Sequence, residues 1–455
     1  MAGRVFYIDP LHGSSGYDGT TSADNISGTV GPFGSLYDVL WGGDADPAKF
    51  GGSGDTYYLV GSTTDALPPM TYSGGVFGGA RDYNFYSNTS RWGMPTDYID
   101  SSNPPKFIGL NTSLEEDGSL YDLRWQIDAG PNAADGGWYG FATFFTNRGI
   151  GAIWRNLKWT CVPSATTVSA RLGRMRSYTS GGGGDYFINC TWDWTNPEGL
   201  DNTFGIVLWA SANPSASFKN CTFLGTSSNN NSCIDASAQY GQHNAVIGCK
   251  FRNWNRPVWH NGDGYAIYGN IFDDCNYGVY ADTNLSSTNK KPIMNNLFYN
   301  INNDGIYFDD PNDNQGSAII MHNLFVNIGG YAFNCASGWG PADDQYWCFR
   351  KNVVQDATSG MLGPDVLASH GGVYVGMTGD VLYGNISENV TITGLTMDID
   401  TDFNVTISGF PSSALGITGT LGLGANSSAA GFLSSGESGG VAGAVVESEQ
   451  GRVTA

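Results

Sequence analysis

Apolar positions recur along this chain in short alternating bursts, each bounded by Asn, Gly or Asp. The bursts WRNLKW (154–159), FINCTW (187–192), FKNCTF (218–223), VIGCKF (246–251), YGNIF (268–272), MNNLF (294–298), MHNLF (321–325) and RKNVV (350–354) align with one another. Two residues before the closing apolar position stand Leu157, Cys190, Cys221, Cys249, Asn270, Asn296, Asn323 and Asn352, at steps of 33, 31, 28, 21, 26, 27 and 29 residues. A second burst follows in several repeats: FGIVLW (204–209), YGVYAD (277–282), DGIYFD (304–309) and GYAFNC (330–335). Alternation at period two predicts short strands, and the polar or Gly residues between them predict bends. No single repeat can bury its own inward side chains. Stacking repeats with neighbouring strands about 4.8 Å apart satisfies the backbone and builds a continuous core. The pattern therefore predicts an all-β solenoid. Asn amides pair up the stack at one bend, and inward Phe and Cys residues form ladders beside them.

Around this regular region the pattern changes. Residues 1–60 read as an N-terminal cap and first coil, 61–150 as early coils with long Gly- and aromatic-rich loops, and 151–355 as regular coils. Residues 356–410 form a C-terminal β segment, whose stretch NVTITGLTMDIDTDFNVTISGF alternates as a half-exposed strand or hairpin does. Residues 411–455 are dominated by Gly, Ala and Ser, the composition of a flexible arm.

Composition narrows the partners. The net charge of −21, from 42 acidic and 21 basic residues, opposes binding to nucleic acid and to anionic membranes. The cluster Arg171, Arg174 and Arg176 reads as a loop or subunit contact. No apolar run is long enough to span a membrane, and the start MAGRVFYIDPLHG has no leader pattern, so synthesis in a host cytoplasm is expected. The eight cysteines contain no CxxC pair, and three of them share the ladder position. They are expected to be reduced and buried.

The segment VFYIDPLHGSSGYDGTTSADNISGTVGPFGSLYDVL, followed by GDTYYLVGST (54–63), resembles the entry segment of pectate-lyase-like β-helix proteins. With the repeat, the resemblance covers residues 3–60 and 150–355. It implies a right-handed parallel β-helix whose open end is capped by a strand, a loop and a short helix near Ser35–Leu40, with Asp55–Val60 as the first coil strand. That fold hosts lyases, hydrolases, phage tailspikes and inert rods, so chemistry has to be sought residue by residue.

The nearest approach to a pectate-lyase element is RNWNRPVWHNGDG (252–264), which has Arg252, Arg256 and His260 but lacks the Asp-His pair and the second arginine at the expected spacing. Trp254 and Trp259 in it are candidate sugar-stacking residues, with coil or subunit packing as the plainer reading. Polygalacturonase-like hydrolases place aspartates on neighbouring coils to flank the scissile bond. Asp273-Asp274, Asp309-Asp310 and Asp343-Asp344 recur, but Asp273 follows one type of strand and Asp309 another, which puts them on different faces. Asp273, Asp274, Asp309 and Asp310 remain candidate carbohydrate contacts, with solvated turns as the plainer reading. The stretch DPNDNQG (310–316) only partly follows a Ca²⁺ loop. No cofactor is expected beyond an opportunistic Ca²⁺ at Asp309, Asp310 or Asp313. His322 reads as a coil residue, and no HExxH, nucleophile elbow or P-loop is present.

Three function classes follow. The composition and missing catalytic motifs favour a virion structural protein, a homotrimeric capsid decoration or tail component on the virion surface that contacts a major capsid protein or other virion proteins. The alternative is a polysaccharide lyase or hydrolase of tailspike type, acting on a host surface glycan. The third is a carbohydrate-binding surface adhesin.

Overall fold

The computed structural model describes residues 3–40, 54–66, 70–71, 103–128, 152–163, 174–175, 185–193, 204–208, 216–225, 232–236, 244–261, 265–282, 291–309, 317–336, 346–350, 352–363, 386–388 and 405–406. The chain forms two compact units, Met1–Asn231 and Ser232–Ala455. Each is built from parallel β-helix coils. Among the described residues almost every element is a strand, and these strands pair in parallel.

In the first unit, one sheet runs through Val5–Ile8, Thr56–Val60, Lys106–Leu110, Ile153–Arg155, Asp185–Ile188 and Ala216–Lys219. A second runs through Asp65–Ala66, Tyr121–Asp128, Leu157–Pro163, Thr191–Asp193 and Thr222–Leu224, while Arg174–Met175 and Phe204–Leu208 pair in a third. Val5–Ile8 already pairs with Thr56–Val60, so the sheet opens in the cap and not at residue 55.

In-register stacking places like on like. Phe6, Tyr57, Phe107, Trp154, Phe187 and Phe218 form one inward column, with successive ring centroids 5.2, 4.8, 4.2, 6.3 and 5.3 Å apart. Trp159, Trp192 and Phe223 form a second column, and the two meet edge to face, as at Trp154–Trp159. Each ring pair adds about 0.5–1.5 kcal/mol beyond its area burial.

The helix Leu36–Leu40 caps this unit. Buried Asp65 accepts hydrogen bonds from Leu36 N (2.8 Å), Ser35 Oγ (2.6 Å) and Tyr121 Oη (2.6 Å), tying the helix to the second sheet. Fully buried Asp9 accepts from Leu11 N (2.9 Å), His12 N (3.3 Å) and Ser62 Oγ (2.5 Å), with His12 Nδ1 2.9 Å away. Burial raises its carboxyl pKa, but the hydrogen bonds from Ser62, His12 and Leu11 outweigh that and hold it below the ordinary value.

The second unit carries three sheets. The first comprises Asn244–Ile247, Tyr265–Tyr268, Lys291–Met294, Ser317–Met321 and Tyr346–Arg350. The second comprises Lys250–Arg252, Ile271–Asp273, Leu297–Ile301, Leu324–Ile328, Val353–Ala357, Ile386–Glu388 and Val405–Thr406. The third comprises Ser232–Ala236, Arg256–Asn261, Val279–Asp282, Ile306–Phe308, Tyr331–Cys335 and Gly360–Leu362. Coil strands thus continue past residue 355. The strands at 386–388 and 405–406 pair in parallel, and the rest of 389–410 lies outside the described residues. The Gly/Ala/Ser-rich segment 411–455 lies outside the described residues.

Gly248 (φ 64°) turns the first described corner of the second unit with left-handed backbone, ahead of buried Cys249; the corresponding corners after it are Gly269 (φ 65°), Asn295 (φ 55°) and His322 (φ 56°). Gly and Asn tolerate this region best, which is why the repeat carries them there. His322 is therefore a corner residue and not a strand residue. From Gly269 on, directly after each corner stands a fully buried amide: Asn270, Asn296, Asn323 and, one coil further, Asn352. Asn270 Nδ2 donates to Asn296 Oδ1, Asn296 Nδ2 to Asn323 Oδ1 and Asn323 Nδ2 to Asn352 Oδ1, each at 3.0 Å. Each Nδ2 also donates to a backbone carbonyl (Val246, Ile267, Ile293 or Ile320), and each Oδ1 accepts a backbone N–H from the preceding coil. Both donors and both acceptor sites of Asn296 and Asn323, in the middle of the spine, are filled. Phe251, Phe272, Phe298 and Phe325 stack beside the spine at 5.1, 4.9 and 4.6 Å.

In the first unit the left-handed corners hold Asn156, Asn189 and Asn220, and the following inward positions are Leu157, Cys190 and Cys221. There the amide contact is made by the corner residues themselves, Asn189 Nδ2 donating to Asn156 Oδ1 at 2.7 Å. Cys190, Cys221, Cys233, Cys249, Cys275 and Cys335 are all buried free thiols. The expected cysteine packing holds at these six positions.

Two outcomes follow. Replacing Asn296 by Leu leaves Asn270 N–H, an Asn270 amide hydrogen and the Ile267 carbonyl buried without partners. At about 1–3 kcal/mol each, the loss should reach at least ~3 kcal/mol in urea denaturation, and a loss below ~1 kcal/mol would contradict the filled-amide account. For Asp9, the folded pKa is depressed, so its stabilisation is fully present above about pH 4 and is lost as pH falls through the folded value. Hydrogen exchange at Leu11 and His12 should accelerate in that acid window while the Asn270–Asn352 spine stays protected; unchanged cap protection down to about pH 2 would contradict it.

Candidate functional site

The third sheet of the second unit has one column facing in and one facing out. Ile234, Val258, Val279, Ile306, Phe333 and Leu362 are buried in the inward column. One residue further along, Trp259 pairs in register with Tyr280, Tyr280 with Tyr307, and Tyr307 with Asn334. An aromatic ladder therefore runs across three coils on the outer side of the sheet.

The coil corner keeps this sheet close to the core. A Cβ on Gly278 would lie 2.3 Å from the Phe298 ring, and one on Gly305 would lie 2.7 Å from the Phe325 ring. Gly278 and Gly305, directly ahead of Val279–Asp282 and Ile306–Phe308, are thus a packing requirement.

Around the ladder gather further aromatic and polar groups. Tyr277 meets Tyr280 edge to face at 5.2 Å and Tyr307 at 5.6 Å, and Tyr280 and Tyr307 lie 5.3 Å apart. The Arg256 guanidinium sits 3.9 Å from the Tyr280 ring centroid and 4.5 Å from that of Trp259. Arg4, Arg124, Arg155 and Arg252 each pair with a carboxylate, whereas Arg256 pairs with none among the described residues. Arg256 Nε and Trp259 Nε1 also make no hydrogen bond among them. Tyr280 Oη donates a short hydrogen bond to Asp309. Asp304 accepts from Tyr331 N at 2.7 Å and Asn334 Nδ2 at 3.0 Å.

Burial sorts these groups. Tyr280 is 4% exposed, while Trp259, Tyr277, Tyr307, Arg256 and Asp309 are half-buried and reach solvent. Burial and the Asp309 hydrogen bond push the Tyr280 phenol far up, so it keeps its proton at any ordinary pH. Burial, with Asp309 next, pushes Tyr307 up to about 12. Burial raises the Asp304 carboxyl, partly offset by its two hydrogen bonds.

The sequence-derived candidates divide. Trp259 and Asp309 belong to this face. Trp254 does not: at 1% exposure it follows the left-handed corner Asn253 and points into the core, where no sugar can reach it. Its column continues as Cys275, Ile301, Ile328 and Ala357, all buried. Asp273 lies in the second sheet and Asp274 at its following corner, so the expected separation from Asp309 holds. Arg252 reaches both carboxylates, at 3.5 and 3.3 Å, and Asn300 Nδ2 donates to Asp274 at 3.2 Å. A cation there would have to displace that guanidinium, and Asp309 is already bonded to Tyr280. The described residues therefore do not fit a Ca²⁺ site, and they contain no cluster of three metal-ligating side chains. Asp310, Asp313 and the stretch 310–316 lie outside the described residues, as does the side chain of His260.

Sequence reading passed over Tyr277, Tyr280, Tyr307, Asp304 and Asn334. Their signal was present in the aligned second bursts, YGVYAD above DGIYFD above GYAFNC, read down the columns.

Fold and face together define a parallel β-helix protein with an outward aromatic ladder edged by carboxylates. No family model and no curated protein sequence matches the chain. Solved structures similar to it include a PL6 family polysaccharide lyase from Pseudopedobacter saltans, at 11% identity and TM-score 0.32, covering 82% of this chain and 92% of that one. Another is a mannuronic acid specific polysaccharide family 6 lyase from human gut microbiota, at 10% identity and TM-score 0.33, covering 90% and 92%. At that degree of likeness the activities of those lyases remain their own.

The Asp304 environment gives a stability test. Its folded pKa is raised, so ionisation costs stability as pH climbs from the unfolded value through the folded one. Asp304→Asn removes that cost and keeps an acceptor for Tyr331 N. Thermal unfolding at neutral pH should show the variant at least as stable as the parent, with the difference vanishing in acid. A clear loss at neutral pH would show that the carboxylate charge itself is needed.

Proposed function

We propose that the protein acts on a polysaccharide bound across the outer face of the third sheet of the second unit. The observation that carries this reading is the in-register ladder Trp259–Tyr280–Tyr307. Sugar rings present C–H faces that pack on aromatic surfaces and hydroxyls that need polar partners. A partly exposed aromatic strip with Asp309 and Asn334 at its edges supplies both. Coil repetition adds a further match, because a polymer of like units meets like groups on successive coils.

Within this reading Asp309 is the general base that takes a proton from the attacking water, since it is a half-buried carboxylate beside the strip. Tyr280 is its positioning residue: the phenol holds its proton and donates to the carboxylate. The virion rod that composition favoured, with its trimer and capsid partners, has no feature among the described residues in its support. The polysaccharide-acting alternative therefore stands first.

The test separates binding from cleavage. Trp259→Ala should weaken retention on the bound polymer by about 1 kcal/mol, read by affinity electrophoresis. Asp309→Asn should leave retention in place and lower release of new chain ends by roughly 10²–10⁴-fold. Retention that needs Trp259, with no chain ends released by the parent protein, would return the chain to the carbohydrate-binding class. Retention indifferent to Trp259 would remove this face from the account.

A further inference from the structure

Resting on the reading above, we infer that the polysaccharide taken by this face is uncharged. The inference starts from the charges around the ladder. Asp304 and Asp309 flank the third-sheet strand Ile306–Phe308 of the second unit. Against these acidic residues stands one arginine, Arg256. At the centre, the Tyr277 phenol feels Asp304, Arg256 and Asp309 together, two negative charges to one positive.

Arg256 is the group that would argue otherwise, because a guanidinium without a carboxylate partner is a ready site for an acidic sugar. Its placement opposes that use. Its plane is engaged by two rings, at 3.9 and 4.5 Å, and its Nε is buried. Cation–π contact with Tyr280 and Trp259 holds the guanidinium face against the ladder. Arg256 in this arrangement braces the ladder.

The wider field acts in the same direction. The chain carries a net charge of −21. A polymer with a carboxylate or sulfate on every unit would approach an acidic protein across an acidic face, and each bound unit would add repulsion. A neutral polymer meets no such barrier and uses what the face does present, namely rings, phenols, an amide and carboxylate acceptors. A neutral chain also lacks the carboxylate that acidifies the neighbouring C–H bond, so cleavage of such a substrate belongs to hydrolysis and not to elimination.

The full-length protein should be run by affinity electrophoresis through gels holding galactomannan, xylan or mixed-linkage glucan as neutral probes, and alginate or polygalacturonate as anionic ones. The expected result is retardation by a neutral polymer that persists at about 1 M salt, where charge–charge attraction is screened beyond roughly 3 Å. Tyr307→Ala should weaken that retardation roughly three- to tenfold, and Arg256→Lys, which keeps the charge but not the planar stacking, should weaken it as well. Retardation by the anionic polymers alone, lost in salt and lost in Arg256→Gln, would overturn the uncharged substrate while leaving the glycan face standing. Retardation by none of the five would overturn both.

Discussion

The left-handed corner is the constraint on which the rest of this protein depends. A coil can return above its predecessor without slippage only if the chain turns at the same place each time. Asn, Gly, Asp and one His make that turn at φ between 51° and 65° in both units. Once the corner is set, the next residue is committed to the interior. The corner before Leu157, Cys190 and Cys221 in the first unit, and before Asn270, Asn296 and Asn323 in the second, produces the inward columns that follow. Parallel pairing then aligns each side chain with its counterpart one coil away, and a one-residue slip would send every column to the opposite face.

The two units fill the post-corner position differently. In the first, Leu or Cys packs there and the amide contact falls to the corner Asn itself. In the second, from Asn270 on, the amide moves inside and becomes a spine whose middle members have every donor and acceptor matched. A buried amide column is stabilising only because it is complete; a gap would leave groups whose desolvation costs more than a hydrogen bond contributes. Pairing with backbone carbonyls as well as with each other ties the spine to the first sheet. The same register that orders the interior also orders the outside, which is how Trp259, Tyr280 and Tyr307 come to form one strip without any local motif specifying it.

Much of the architecture was legible in the sequence for this reason. The period of the bursts, the Asn and Gly ahead of them and the entry segment named the fold. Other features were hidden by the corners. Trp254 and Trp259 look equivalent in RNWNRPVWHN, yet one left-handed residue, Asn253, sends Trp254 inward, and the third-sheet strand turns Trp259 outward. Asp273 and Asp274 are sequence neighbours, but the second is itself a corner. Catalytic motifs are sought along a chain, whereas this face is a column across coils 21 to 27 residues apart, visible only when second bursts are read downwards.

Because the outer strip exists only if the register is right, the register is what most needs testing. The double variant Tyr280→Cys/Tyr307→Cys places two thiols at directly paired positions on adjacent parallel strands, within the Cα separation that a disulfide spans. Mild oxidation of the folded protein, followed by peptide mass mapping, should show that bond closing rapidly. It should also show Tyr280→Cys/Phe308→Cys, one residue out of register and on opposite faces, staying reduced. Closure of the second pair in place of the first would mean that the strands are slipped by one residue, and the aromatic strip with its proposed glycan face would not exist.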